Sequence, residues 1–243
     1  MNTEFDYTDR KVTPLDPSAS SLRSWITRAH EKQRRIYPKG SSAVLIPVLI
    51  RDGSYHVLYE VRAAKLKTQP GEICFPGGRI EEGEEPIEAA VREATEELCI
   101  KKDQIELVGA LDETIGPGGI PFFAFIGVLH GYEGTWSADE VEYVFTLPLD
   151  WILSHDPDIY KVKLEQKIPE DFPYDMMPGG RGYKWRSQNY AVPFYPELEP
   201  VWSGRVYEGE KAQDSSQIPI LWGVTARVTH SLAKLLRADD LIG

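Results

Sequence analysis

The sequence predicts an α/β, or α+β, domain built on a mixed β-sheet. Three observations carry that expectation. Short apolar runs bounded by turn residues alternate with segments of helical periodicity, the pattern of a sheet covered by helices. Two β-rich runs, SAVLIPVLIR and SYHVLYEVR, are joined by Asp52-Gly53, a favoured hairpin turn pair. Several further turn-bounded strands follow, which favours a mixed sheet over an all-parallel one.

The elements follow in chain order. Residues 1–40 read as an N-terminal helical arm, in which Leu22, Trp25, Ile26 and Ala29 recur at helical spacing after a serine-rich entry. Residues 41–243 then form the main domain, including a C-terminal extension and a closing helix. The longest apolar run, Ala43 to Ile50, contains Pro47 and is too short to span a bilayer, so it reads as a buried strand. From Lys65 to Gly83 the chain is mostly glycine, proline and charge, predicting a long loop; such loops are rare in compact domains unless they serve a function. Glu84 to Leu98 is predicted as a helix. QIELVGALDE, IPFFAFIGVLHG and EVEYVFTLPL are strand candidates, and LDWILSH is a short helix. The stretch from Asp156 to Asp214 is irregular, aromatic and proline-rich, with weak strands such as NYAVPFY. ILWGVTARVTHSLAKLLRA closes the chain as a helix.

Composition narrows the function. A formal net charge of −11 argues against nonspecific binding to nucleic acids or anionic membranes. An acidic protein still acts on phosphates when divalent cations mediate. With two cysteines, Cys74 and Cys99, no disulfide framework or cysteine zinc site is indicated, and a reducing cytoplasm is the expected compartment. The N-terminus lacks the apolar core of a signal peptide. A homodimer is compatible with the sequence.

The segment from Gly77 to Ile100 crowds eight glutamates between Glu81 and Glu97 around a single arginine, Arg92. On a helical wheel with Ile87 at zero, Ala90, Val91, Ala94 and Leu98 fall within about 60° and form an apolar stripe. Glu93, Glu96 and Glu97 fall at about 240°, 180° and 280°, a ridge of carboxylates beside Arg92. Like charges at such spacing repel unless something positive intervenes. A solvated face with an Arg92–Glu96 pair is one reading. A hard divalent ion, which takes oxygen ligands and keeps several waters, is the other.

The segment resembles the Nudix box, G-x5-E-x7-R-E-U-x-E-E-x-G-U with U a bulky aliphatic residue. Gly78, Glu84, Arg92, Glu93, Glu96, Glu97 and Ile100 occupy the expected positions. Ala94 stands where a bulky residue is expected, and Cys99 where the last glycine is expected. A helix end commonly uses glycine for a left-handed conformation, so Cys99 suggests a changed cap. The resemblance implies a Nudix-like mixed sheet sandwiched between helices and a Mg²⁺- or Mn²⁺-dependent hydrolase of nucleoside diphosphates linked to some other group. It implies Glu93, Glu96 and Glu97 as metal ligands, with Glu93 also a candidate base, and the backbone carbonyl of Gly77 or Gly78 as a further ligand. Arg92 would orient the glutamates and Glu84 would brace the loop. Glu140 and Glu142 are candidates for a later acid that takes the proton of the attacking water, and each also reads as an ordinary strand-edge charge.

Upstream, VLYEVRAAKLKTQPGEICFPGG resembles the additional pattern of coenzyme A pyrophosphatases, through Leu58, Arg62, Leu66, Gly71, Phe75, Pro76, Gly77 and Gly78. Lys67 replaces an arginine and Ala63 a serine. Tyr59 and Glu60 also depart from the pattern, whose strand half fits with a one-residue shift. Arg62 and Lys67 are cations placed to bind phosphate, although lysine lacks the bidentate fork of arginine. The implied reaction is hydrolysis of coenzyme A or an acyl-CoA to 3′,5′-ADP and 4′-phosphopantetheine. ADP-ribose or a nucleotide sugar is the alternative substrate. A nucleotide sensor without turnover is the alternative of another class, and the intact Glu93, Glu96 and Glu97 argue against it. YAVPFY and LWGVTARV resemble a further segment near the end of these proteins, in which Trp222, Gly223, Thr225 and Ala226 pack the closing helix. The scattered histidines show no zinc spacing. GPGGIPFF lacks the lysine of a P-loop and reads as part of the substrate entrance.

Overall fold

The computed structural model describes residues 37–238, apart from 52, 113, 117–118, 197 and 199–219. The helical arm expected in residues 1–40 therefore lies almost wholly outside the described residues. Among the described residues no helix is long and apolar enough to cross a membrane.

Strands β1 (Ser42–Arg51) and β2 (Ser54–Arg62) pair antiparallel as the expected hairpin, with Arg51 opposite Ser54. β1 also pairs in parallel with β7 (Pro121–Leu129), which in turn pairs antiparallel with β5 (Ile105–Ala110) and β6 (Thr114–Ile115). β8 (Val141–Pro148) lies antiparallel to β2. The predicted loop from Lys65 to Gly83 is not uniformly loop. It holds β3 (Ile73–Cys74), paired with β2, and β4 (Gly77–Arg79), paired with β1. Glycine-rich composition hid β4, whose pairing rests on backbone alone. The result is a mixed sheet, as predicted.

β1 explains its own continuous apolar run. Val44 and Ile46 face one side, where they pack with residues of helix α2 (Leu149–Ser154) and helix α3 (Gly223–Ala238). Ala43, Leu45 and Leu49 face the other side, against helix α1 (Pro86–Glu97) and its end. A strand buried on both faces has no polar alternation. Helices thus lie on both faces of the sheet. Tyr59 ties the α3 side together, stacking on Phe75 and Phe145 and sharing a 3.0 Å hydrogen bond with Thr229. Thr225 of α3 donates to the Ile73 carbonyl, while Trp222, expected in the core, is half exposed and stacks on Phe194.

A second, small sheet joins β11 (Leu221–Trp222), β10 (Gln188–Tyr195) and β9 (Asp158–Leu164). β10 was legible in the sequence. β9 was read as irregular because Ile159, Tyr160 and Val162 are all exposed, so no core face imposes alternation.

Helix α1 starts at Pro86, a residue suited to the first helical position, with the Glu88 carboxylate accepting from the Glu85 amide at 3.1 Å. Its buried face is wider than the wheel predicted and turned away from Ile87, toward Ala89 and Glu97. Ala89, Ala90, Ala94 and Leu98 are fully buried, but Ile87 is 38% exposed at the margin. Three alanines on this face let α1 lie close to β1, and Ala94 thereby fits where a bulky residue was expected.

The helix ends without the changed cap that Cys99 suggested. Cys99 itself takes the left-handed conformation, φ +52°, and the Ile100 amide donates back to the Thr95 carbonyl at 3.1 Å. A side chain there costs about 1–2 kcal/mol relative to glycine in the folded state, offset in part by glycine's greater freedom when unfolded. Cys99→Gly is expected to raise unfolding stability by about 1 kcal/mol, read as a higher urea midpoint at unchanged m-value. An unchanged or lower midpoint would show that the thiol stabilises the turn in another way.

Candidate metal centre

The site is built where α1 lies across β4. Antiparallel pairing sets Gly77 opposite Val44 and Gly78 opposite Ala43, and the Leu45 amide donates to the Pro76 carbonyl. Proximity to backbone requires Gly77, and Gly78 is required for Glu93 to keep its present position. A Cβ on Gly77 would lie 2.6 Å from the Val44 Cα, and one on Gly78 would overlap the Glu93 carboxylate. The Gly77 amide donates to Glu97 Oε2 at 2.7 Å.

Arg92 organises the first part of the helix. Its guanidinium donates from Nε to Glu84 Oε1 at 2.9 Å and from Nη2 to Glu84 Oε2 at 3.1 Å, a two-point clamp of the kind arginine makes with carboxylates. It also donates to Glu93 Oε1 at 2.9 Å and to the Arg79 carbonyl. Glu96, the partner expected from spacing, is the most distant at 3.7 Å. The bond to Arg92 holds the Glu84 carboxyl below its ordinary pKa, and Glu84 pushes that of Arg92 up. Glu84 further accepts from the Glu81 amide, so it braces the loop before the helix.

The predicted glutamates separate by depth. Glu97 is 2% exposed and Glu93 is partly buried, but the Glu96 side chain is 60% exposed. Carboxylate oxygens of Glu93, Glu97 and Glu140 lie within 4.8 Å of one another, and Glu96 is not part of that convergence. Glu140 arrives by tertiary contacts. Ser137 donates its amide to the Glu97 carbonyl at 2.7 Å, and Glu140 donates to the Ser137 carbonyl. The Glu140 carbonyl accepts from Ala63 at 2.9 Å, and Lys65 pairs with Asp139. The loop bearing Glu140 is thus fastened both to the end of α1 and to the segment after β2. Glu142, the other late candidate, instead accepts from the Ala64 amide at 3.3 Å.

Burial pushes up the pKa of Glu93 and, much further, that of Glu97, where the neighbouring Glu60 adds to the effect. Glu60 was read only as a departure from a pattern. It stands in β2, 1% exposed, with Cys74 Sγ donating to its Oε1 at 3.2 Å. The available signal was a glutamate inside the apolar run HVLYEVR.

Arg62 ends β2. Its amide donates to the Glu72 carbonyl and its own carbonyl accepts from Gly71, closing the base of the loop between them, while Nε donates to the Thr68 carbonyl at 3.3 Å. Lys67 is exposed on that loop. The segment carrying both cations is therefore joined to the loop of Glu140.

These residues fit a hard divalent cation. Three carboxylates converge, the most buried of them accepts from an amide, and the glycine strand keeps the space beside Glu93 free of side chains.

The NUDIX domain model matches residues 41–165. The chain is 36% identical over 136 residues to the peroxisomal coenzyme A diphosphatase NUDT7 of Mus musculus, covering 54% of this chain and 55% of that protein. It is 35% identical over 202 residues to Nudix hydrolase 3 of Caenorhabditis elegans, covering 81% and 73%. Among solved structures, the Nudix hydrolase RenU of M. smegmatis matches at 23% identity and a TM-score of 0.41, over 51% of this chain and 80% of that one. The chain spans little more than half the length of the mouse relative. On the domain match and the long alignment to the worm protein, the chain belongs to the Nudix family.

Proposed function

We propose that the protein hydrolyses the diphosphate linkage of coenzyme A or its thioesters, with Mg²⁺ or Mn²⁺, to 3′,5′-ADP and 4′-phosphopantetheine. The convergence of Glu93, Glu97 and Glu140 carries the chemistry. The substrate rests on the likeness to the mouse coenzyme A diphosphatase and on Arg62 and Lys67, carried by the segment that joins the Glu140 loop.

When bound, a divalent cation neutralises phosphate charge and makes water more acidic. The chain's own residues do the rest. Glu93, Glu97 and Glu140 would hold the cation with one oxygen each, with Arg92 fixing Glu93 and the Gly77 amide fixing Glu97. The second oxygen of Glu140, a residue that is exposed and outside the Arg92 clamp, accepts the proton of the attacking water. Water adds to one phosphorus, the bridging P–O bond breaks, and two phosphate monoesters leave. Arg62 and Lys67 orient the anionic substrate. Glu96, facing solvent, steadies Arg92 and has no direct part.

The test is product identification after incubation with coenzyme A, ADP-ribose and several nucleotide sugars, each with and without Mg²⁺. Mg²⁺-dependent release of 3′,5′-ADP from coenzyme A at the highest kcat/KM is expected. Preference for ADP-ribose or a nucleotide sugar would overturn the substrate, and binding without product would overturn catalysis.

A further inference from the structure

Glu60 lies in β2, flanked by β8 and β3, opposite Val144 and Cys74. It is as buried as the core aliphatics around it. One carboxyl oxygen, Oε1, accepts from Cys74 Sγ. The other, Oε2, is buried and has no hydrogen-bond partner. Buried carboxylates are ordinarily paired with a cation, hydrogen-bonded or bound to a metal. The groups bearing most on Glu60 are Cys74, Arg62, Glu97 and Glu140, so the acidic neighbours belong to the cation centre. Glu97 already uses Oε2 on the Gly77 amide and Glu93 uses Oε1 on Arg92, whereas Glu60 Oε2 has neither an amide nor a cation beside it, and its near neighbour is the Glu97 carboxyl, with which it can share only a proton or a metal ion.

We propose that Glu60 is an inner ligand of the cation centre, its unpartnered Oε2 coordinating a divalent cation held by Glu97. It belongs to neither the glycine-rich strand nor α1 but to β2, on the face that Leu58 shares and α1 covers. This inference rests on the reading of the site as a divalent-cation centre.

Two measurements test it. Mn²⁺ binding is followed by calorimetry and by the electron paramagnetic resonance signal of free Mn²⁺ for the full chain and for Glu60→Gln, with melting in EDTA as the check on folding. Glu60→Gln is expected to weaken Mn²⁺ binding at least tenfold while melting no lower than the parent. Lost charge alone would also weaken binding, so a ligand replacement separates the two. In a Cys74→Ser background, Glu60→Cys is expected to give a sulfur-to-cadmium charge-transfer band with Cd²⁺ that Cys74→Ser alone lacks. A Glu60→Gln protein that binds Mn²⁺ as tightly as the parent, or a Glu60→Cys protein without the band, overturns the proposal. A parent that binds no Mn²⁺ overturns the cation centre itself.

Discussion

Glu97→Gln is expected to lower Mg²⁺-dependent turnover at least about a thousandfold while the protein stays folded. A cation acting on phosphoryl oxygens is worth several kcal/mol of transition-state stabilisation, and about 4 kcal/mol corresponds to that factor. Glu97 is the deepest of the three convergent carboxylates and the one held by the Gly77 amide, so its removal undoes the grip on the cation most completely. Gln keeps the shape and an oxygen for that amide, which is why the fold survives. Stability should move the other way. Burial, then the charge of Glu60, raises the pKa of Glu97 in the folded state. The folded protein therefore keeps a proton that the unfolded chain releases above about pH 4.5. Without metal, the contribution of this proton to stability is complete below that pH and is lost progressively as pH rises toward the folded value. Gln has no such proton to lose. In EDTA the parent should melt at falling temperature from pH 5 to pH 8, and Glu97→Gln should show a shallower fall. A folded variant with undiminished turnover refutes the assignment, and identical pH profiles refute the electrostatic account.

The wheel placed Glu93, Glu96 and Glu97 on one ridge, and it also contained the reason why they divide. Glu97 lies about 80° from the centre of the apolar stripe, whereas Glu96 lies about 180° from it. A helix packed on a sheet buries the nearer flank and leaves the far one in water. Treating the three as equivalent lost that distinction. That Glu84 braces the loop was legible only through the resemblance, and its clamp on Arg92 was not read at all, because i,i+4 spacing favoured Glu96. Local pattern offered Glu140 and Glu142 as equal candidates and could not choose between them. The position of Glu140 depends on Ser137 meeting the end of α1 and Ala63 meeting Glu140, contacts between segments far apart in sequence. Glu60 was hidden for a different reason. A strand buried on both faces gives no alternation, so an acidic residue in it reads as an exception rather than as a position. β4 and Cys99 share a further cause, since backbone pairing and a left-handed φ are not encoded by side-chain hydrophobicity. The sheet itself was legible because its strands bury apolar residues between clear turn signals.

Gly77→Ala is expected to destabilise the protein by about 2–3 kcal/mol, the upper range for forcing an extra group into a packed interior. The added Cβ would meet the Val44 Cα at 2.6 Å and the Ala43 carbonyl, both backbone atoms of the central strand. Neither can rotate away as a flexible side chain does. Relief requires β4 to move off β1, which strains the pairing of Ala43 with Gly78 and draws the Gly77 amide from Glu97. Stability and cation binding should therefore fall together, because one displacement causes both. The measurement is a urea midpoint in EDTA alongside Mn²⁺ calorimetry under conditions where the variant is fully folded. A lower midpoint with unchanged Mn²⁺ affinity would mean that β4 yields without disturbing Glu97, and the glycine would then serve packing alone. Weakened binding in the folded variant would tie the absence of a side chain at residue 77 to the grip on the cation.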